Sequence, residues 1–217
     1  AKNVAEVVLL SKEQALIRAE ACNKSPYDAM LDLYEPGISC EQLDGVFANL
    51  KAWLPELTQQ IQQRQASQRV IKPAELYTAK QQNELGLEIM KLLEFDFNHG
   101  RLDISSHPFC GGTSQDVRIT TRYDEADFVQ SLMGIIHETG HARYEQGLPA
   151  ALQGLPVGEA RSMGIHESQS LFFEMQLGRS KEFIALLTPL TLKHFPNNNP
   201  AVFEADNLHK IYTRVTP

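Results

Sequence analysis

Two histidines and a glutamate within one apolar stretch supply the clearest chemistry in the sequence. His137, Glu138 and His141 form the pattern His-Glu-x-x-His inside the run 131–143. Four residues advance an α-helix by slightly more than one turn, so the two imidazoles lie one above the other on the same face. They can therefore share one tetrahedral metal ion, as in metallopeptidases. Glu138 points to the side, where it can act as a general base that activates water.

The residues that precede this pattern argue against a chance match. Phe128, Leu132 and Ile136 form one apolar stripe, and Val129 and Met133 continue the neighbouring stripe that carries the two histidines. Such broad apolar cover is typical of a helix packed in a core. A single buried histidine is usually a hydrogen-bonded core residue. Two histidines at this spacing, with an acid between them, predict a metal site.

A third ligand is expected because a catalytic zinc ion generally takes three protein ligands and keeps one position for water. Glu167 is the candidate, since in a helix through 164–170 it would share a stripe with Met163 and Leu171. An unpaired carboxylate in such apolar surroundings would be costly, and a cation would remove that cost. The alternative is a surface glutamate, or one that is paired with Arg161 or Arg179.

Five stretches of the sequence, in order, resemble the motifs of one known family. They are Pro26–Gly37, His107-Pro108-Phe109, Asp116-Val117-Arg118-Ile119-Thr120, His137–His141 and His166-Glu167-Ser168-Gln169. On these motifs the sequence is similar to the carboxypeptidase Taq family of thermostable metallocarboxypeptidases, over essentially the whole chain. The family's downstream motifs, I-R-x-x-A-D and G-x-x-Q-D-x-H-W, are missing, as is its N-terminal helical region. We therefore expect residues 1–217 to be a single domain, a central fragment of a longer catalytic domain.

The resemblance implies a metal-dependent hydrolase that releases C-terminal amino acids from peptides with broad side-chain tolerance. Zinc is the expected ion, with cobalt or manganese as alternatives, and a homodimer is one expected state of the parent protein. The motif chemistry alone fits a zinc endopeptidase or oligopeptidase with the same ligands equally well. A non-catalytic helical module with a vestigial metal site is the third alternative.

Four further motif residues are candidates for substrate binding or for support of the metal ligands. Asp116 and Arg118 alternate onto one strand face, where they can orient a ligating imidazole, hold substrate, or form an ion pair with each other. His107 and His166 resemble family motif residues. Each can take a direct catalytic part, or can pack and hydrogen-bond behind the site.

Composition excludes several kinds of partner. The chain has 20 Lys and Arg against 27 Asp and Glu, a net charge of −7, and supplies no basic patch for nucleic acid. No apolar run approaches the length of a membrane span, so no membrane partner is expected. Cys22, Cys40 and Cys110 are widely spaced and odd in number, which fits a reducing compartment and predicts a cytoplasmic location.

Helical periodicity dominates the remaining sequence and predicts a mainly α metallopeptidase scaffold of seven to nine helices. Predicted helices cover residues 3–22, a short segment from 26, 39–55, 56–68 with Pro55 as a kink or a new start, 75–95, 124–147, a segment through 167 to about 178, 180–194, and 199 onward. Asp124 is the predicted N-cap of the metal helix, and Gly147 is its predicted end.

The period changes between Gly100 and Tyr123, where Gly, Ser, Thr and β-branched residues predominate. Arg101–Ile104 and Asp116–Thr121 alternate polar and apolar residues, which predicts two short strands joined through Cys110–Thr113. We expect a small sheet of two or three strands next to the metal helix. Its edge can pair with an extended substrate, or the sheet can simply close the fold.

Overall fold

The structure, a computed structural model, describes residues 2–74 and 76–216. Within these residues it contains eight α-helices: α1 (Lys2–Cys22), α2 (Pro26–Leu31), α3 (Cys40–Ala66), α4 (Ala79–Leu92), α5 (Phe128–Gln146), α6 (Met163–Leu171), α7 (Lys181–His194) and α8 (Ala205–Tyr212). Three strands form the sheet: β1 (Gly100–Ile104), β2 (Phe109–Thr113) and β3 (Asp116–Thr121). The prediction of a mainly α fold with one small sheet is confirmed.

The described chain divides into two compact units. The smaller comprises residues up to Ile61 together with Arg161–Gly164, and the larger comprises Gln62–Ala160 with the residues from Ile165 onward. This division concerns compactness and not independent folding, so the single domain stays a prediction. None of the described helices is long and apolar enough to cross a membrane.

Side-chain caps set the helix boundaries of the smaller unit. Ser25 Oγ accepts a hydrogen bond from the Asp28 backbone N–H at 3.1 Å, which starts α2. At the start of α3, the Gln42 N–H donates to Ser39 Oγ, and the Ser39 N–H donates to Gln42 Oε1. This reciprocal pair is a capping box. Pro55 lies inside α3, which therefore runs on as one helix instead of restarting there.

The core of the larger unit surrounds α5. On one side, Phe128 packs with Tyr77, Phe195 and Phe203, whose ring centroids lie 4.8–5.8 Å from its own. Leu132 and Ile136 of α5 belong to the same buried cluster. On the other side, Ile135 and Ala142 of α5 pack with Val117 and Ile119 of β3. Because α5 is held from two sides, its His137–His141 segment has a fixed place in the unit.

The sheet has three strands in the order β1-β3-β2, within the predicted two or three. β1 pairs with β3 in parallel, and β2 pairs with β3 antiparallel, with Phe109 opposite Thr120. The prediction that Cys110–Thr113 joins two strands is wrong, because these residues are most of β2 itself. Val117 and Ile119 are buried while Asp116 and Arg118 are exposed, so the predicted alternation of β3 is present.

Two further helix starts differ from expectation. Asp124 is not the N-cap of α5, since Asp127 accepts the hydrogen bonds of the Val129 and Gln130 N–H groups. Asp124 instead accepts from the Ala126 N–H, in a turn that precedes the helix. α4 begins at residue 79, after a capping box formed by Thr78, and the predicted first residue, 75, lies outside the described residues.

The chain after α5 follows the sequence predictions closely. α5 ends at its predicted C-cap, Gly147. α6 continues into a π-helical segment, Phe172–Gly178, which ends at the predicted glycine. Ser180 caps α7 as predicted. The single last helix predicted from residue 199 onward is wrong, because non-helical Glu204 (ψ 135°) separates a 3₁₀ segment, Pro200–Phe203, from α8.

Candidate metal centre

His137, His141 and Glu167 each offer one ligand atom, and these atoms all lie within 4.8 Å of one another. The Glu167 carboxylate oxygens are 3.8 Å from His137 Nε2 and 3.3 Å from His141 Nε2. In a tetrahedral zinc site with bonds of about 2.0–2.2 Å, two ligand atoms lie about 3.4 Å apart. The spacing and the chemistry of this donor set therefore fit one divalent ion of the zinc class.

Glu167 lies near the two histidines, but not in the apolar surroundings that the sequence predicted for it. Its side chain is 51% exposed, and Met163 and Leu171 on the same helix are exposed as well, so the argument from apolar surroundings is wrong. Neither expected arginine pairs with it in the described contacts, because Arg179 binds Glu174 and Arg161 acts on Asp32. The nearness of two imidazoles supports its place in the metal group.

Gly140 allows the helix of Glu167 to approach the helix of the histidines. A Cβ at Gly140 would lie 2.7 Å from Ser170 Cα and 3.0 Å from the Gln169 carbonyl oxygen. These contacts are too short for any side chain, so α5 and α6 can pack this closely only because the residue is glycine. The sequence interpretation missed this role. The signal was a glycine inside a strongly apolar helical run.

Behind His137 lies a carboxylate that the sequence interpretation also missed. Glu174 Oε2 is 3.0 Å from His137 Nδ1, and Glu174 in turn forms an ion pair with Arg179. The hydrogen bond to Glu174 raises the pKa of His137 and is the main cause that lowers the pKa of Glu174. Since the carboxylate accepts the proton on Nδ1, the lone pair of Nε2 is left for the ion.

His141 has a different partner. Its Nδ1 lies 2.6 Å from Nδ1 of His166, and Nε2 of His166 lies 2.7 Å from the Glu145 carboxylate. Burial, followed by the nearby His166 and His137, lowers the pKa of His141 to about 4. The neutral form of an imidazole is the one that binds a metal, so these surroundings suit a ligand.

Glu138 lies away from the group of three ligands, as its position in the pattern predicts. It is 7% exposed, and burial is the main cause that raises its pKa. It lines a cleft of about 550 Å³ together with His137 and Pro108. A buried carboxylate with a raised pKa that lines a cleft suits proton transfer to and from a bound molecule.

The other candidate residues occupy different surroundings. Arg118 donates to both Asp116 carboxylate oxygens, from Nε at 3.1 Å and from Nη2 to Oδ2 at 2.7 Å, and both side chains are about half exposed. This contact is the ion pair that the sequence left as an alternative. His107 is exposed, and its carbonyl accepts from Thr120 Oγ1. A part in substrate binding stays a prediction for all three.

Comparison with known proteins gives consistent matches. The sequence profile described as carboxypeptidase Taq (M32) metallopeptidase matches residues 1–217. Carboxypeptidase 1 of Bacillus subtilis is 45% identical over 159 residues, which are 73% of this chain and 32% of that protein. Thermostable carboxypeptidase 1 of Thermus thermophilus is 43% identical over 161 residues, which are 72% of this chain and 31% of that protein. The chain spans about a third of the length of these curated relatives.

Solved structures agree with the sequence matches. Metallocarboxypeptidase 1 of Trypanosoma cruzi superposes with a TM-score of 0.90 at 44% identity, over 98% of this chain and 44% of that one. The M32 carboxypeptidase of Deinococcus radiodurans superposes with a TM-score of 0.84 at 32% identity, over 95% of this chain and 41% of that one. Because the family profile covers the whole sequence and the folds agree, the chain belongs to the carboxypeptidase Taq (M32) family of metallopeptidases.

Proposed function

We propose that the whole protein is a metal-dependent carboxypeptidase in which His137, His141 and Glu167 hold one ion and Glu138 is the general base. The observation that carries the proposal is the spacing of 3.3 and 3.8 Å between the Glu167 oxygens and the two Nε2 atoms. This spacing is the one expected around a tetrahedral ion. Family membership supports the peptidase reaction and the peptide substrate.

Two imidazoles and one carboxylate favour zinc among the divalent ions, because magnesium and calcium prefer all-oxygen sites. Cobalt and manganese remain alternatives that the donor set also accepts. The ion, when bound, supplies a Lewis acid that polarises the scissile carbonyl and lowers the pKa of water. The three residues would hold the ion beside the cleft that His137 and Glu138 line.

Glu138 carries the proton chemistry in this proposal. Its buried carboxylate accepts a proton from the attacking water and then delivers it to the amine that leaves with the last amino acid. Burial raises the pKa of Glu138, which supports both steps because a more basic carboxylate accepts the proton more readily. Broad tolerance for the released side chain is part of the proposal and rests on the motif resemblance. A homodimeric state stays a prediction.

A cytoplasmic location is also proposed. Cys22, Cys40 and Cys110 are all free thiols, which fits a reducing compartment. For Cys110, burial and the nearby Glu138 and Glu145 raise the pKa to about 12, so this thiol is neutral at physiological pH and is a poor nucleophile.

Metal content tests the ligand assignment. The purified 217-residue chain, equilibrated with zinc and desalted, should retain about one ion per molecule by elemental analysis. His137→Ala and His141→Ala should each remove it. His99→Ala is the matched control, because it deletes an exposed imidazole that pairs with Asp96 away from the site. Equal zinc in the wild type and in both ligand variants would show that the assignment is wrong.

Cleavage patterns test the reaction. The full-length protein should release the last residue from a peptide with a free C-terminal carboxylate and should leave the same peptide with a C-terminal amide intact. Internal cleavage of both peptides would indicate an endopeptidase or oligopeptidase with the same ligands. A zinc-loaded full-length protein that cleaves neither would favour a non-catalytic helical module.

A further inference from the structure

We propose that His166 and Glu145 are positioning residues that fix the tautomer of His141 and thereby present its Nε2 lone pair to the metal. The inference rests on the proposed metal site and adds the residues that orient one of its ligands. It concerns a chain of three side chains, Glu145, His166 and His141, which we call the α5–α6 relay.

The α5–α6 relay joins two helices of the larger unit. Glu145 and His141 are four residues apart on α5, so they lie on one face, and His166 of α6 sits between them. The contacts are 2.7 Å from Glu145 Oε1 to His166 Nε2 and 2.6 Å from His166 Nδ1 to His141 Nδ1. The Tyr144 ring packs on His166, with centroids 4.9 Å apart. The relay is therefore held in a defined geometry.

The acceptor at one end sets the direction of every hydrogen bond. An ionised carboxylate only accepts, so His166 must donate to Glu145 from Nε2–H. A neutral His166 then has its lone pair on Nδ1 and accepts from His141 Nδ1–H. As a result, the lone pair of His141 lies on Nε2, the atom 3.3 Å from the Glu167 carboxylate.

The opposite direction would exclude metal binding. If His166 donated from Nδ1, His141 would accept at Nδ1 and would carry its proton on Nε2, where the ion must bind. In neutral His166, Glu145 prevents this arrangement because it accepts the hydrogen bond from Nε2–H, and the single proton of the ring is then not on Nδ1. The relay thus keeps the proton of His141 on Nδ1, as the direct hydrogen bond to Glu174 keeps the proton of His137 on Nδ1. In metal sites, loss of such an outer partner typically weakens metal affinity by about 10–100-fold.

Zinc affinity of the 217-residue chain, measured against a competing chelator, tests the proposal. His166→Phe keeps a ring but removes the acceptor, and Glu145→Ala removes the carboxylate. Each should weaken zinc binding by about 10–100-fold. His166→Asn places an amide oxygen near the position of Nδ1 and should recover most of the affinity. Ser168→Ala, an exposed change on α6, is the matched control and should leave affinity unchanged.

A second readout reports the tautomer itself. Long-range ¹H–¹⁵N NMR of the zinc-loaded chain should show a proton on Nδ1 of His141 in the wild type. Urea unfolding of the metal-free variants checks that a lower zinc affinity is not caused by a loss of folded protein. If His166→Phe does not fold, the zinc affinities of Glu145→Ala and His166→Asn test the proposal instead. Wild-type zinc affinity in both His166→Phe and Glu145→Ala, or equal losses in His166→Phe and His166→Asn, would overturn the proposal. A wild type that binds no zinc would instead refute the proposed metal site.

Discussion

Gly140→Ala is the substitution that best separates helix packing from metal chemistry, since it adds one methyl group and removes no ligand. The added Cβ would lie 2.7 Å from Ser170 Cα and 3.0 Å from both the Gln169 carbonyl oxygen and Phe173 Cβ. Two of these atoms, Ser170 Cα and the Gln169 carbonyl oxygen, belong to the backbone of α6 and cannot rotate away. Ordinary contact begins at 3.4 Å, so α6 must move by about 0.7 Å relative to α5.

The expected loss of stability follows from two opposing effects. Overpacking of a well-packed interface costs about 1–3 kcal/mol. Alanine gains about 1 kcal/mol over glycine inside a helix. The metal-free chain should therefore lose about 0–2 kcal/mol of unfolding free energy, which leaves it folded.

The expected loss of metal affinity is larger than the loss of stability suggests. Glu167 lies about one turn before Ser170 on α6, so a shift of α6 moves its carboxylate away from the histidines. Metal–ligand distances tolerate deviations of only about 0.2 Å, which is well below the required movement. We expect zinc affinity to fall by about 10–100-fold, as when the support of a ligand is lost.

Gly134→Ala is the matched control, because Gly134 is also on α5 but a Cβ there would meet only Pro108 Cγ, at 3.9 Å. It should gain about 1 kcal/mol from helix propensity. Urea unfolding with a chelator present should therefore place the two variants about 1–3 kcal/mol apart, the overpacking cost alone. Zinc competition should show a loss in Gly140→Ala only. Equal stability and equal zinc affinity of the two variants would refute the close approach of α5 and α6.

Four other outcomes are expected. Asp127→Ala should lower the unfolding free energy by about 1 kcal/mol through loss of the helix cap, measured in urea, whereas Asp124→Ala should cost less. Phe128→Ala should cost about 3–5 kcal/mol in the same assay, because the ring is fully buried. Glu138→Gln should retain zinc while peptide hydrolysis by the full-length protein falls by orders of magnitude, and Glu167→Gln should instead weaken zinc retention. The reverse pattern would show that Glu138 is the metal ligand and Glu167 the general base. Saturation with zinc at about 100 times the dissociation constant should stabilise the chain by about 2.7 kcal/mol, and a chelator should remove this gain.

The metal group could be predicted because its main part is local. The spacing of His137 and His141 depends only on the helical repeat, and the apolar residues around them indicate the helix. Glu167 required a contact between two helices, which spacing within one helix cannot supply. Glu167 was predicted from the need for a third ligand, and it also lies in a motif of the resembled family. The further argument from an apolar stripe failed because this helix face is exposed.

The sheet shows why glycine is ambiguous in a sequence. Cys110-Gly111-Gly112-Thr113 has the composition of a turn, yet it forms an edge strand paired with β3. A side chain at Gly112 would collide with the Asp116 carbonyl, and its φ of +114° is a conformation that favours glycine. The glycine therefore serves close backbone approach within the strand pair, and composition alone does not distinguish that use from a turn.

Glu145 and Glu174, the acidic residues behind the two histidines, are harder to predict because surface glutamates are common on helices. Both nevertheless follow the helical repeat. Glu145 lies four residues after His141, and Glu174 lies two turns after Glu167 in the same helical run. An acidic residue that lies one or two helical turns from a predicted ligand can therefore be predicted to orient a ligand of the same site.

In the proposed site, the residues for metal binding and for proton transfer lie on different faces of α5. His137, His141 and Glu145 follow one another at intervals of four residues, and this face meets α6 and its π-helical continuation. Glu138 lies to one side and opens into the cleft. A shift of α6 should therefore reduce metal affinity while the burial of Glu138 is preserved, and a change at Glu138 should leave the metal in place. For this reason Gly140→Ala and Glu138→Gln are expected to give opposite results in zinc binding, although the two residues are separated by a single position on one helix.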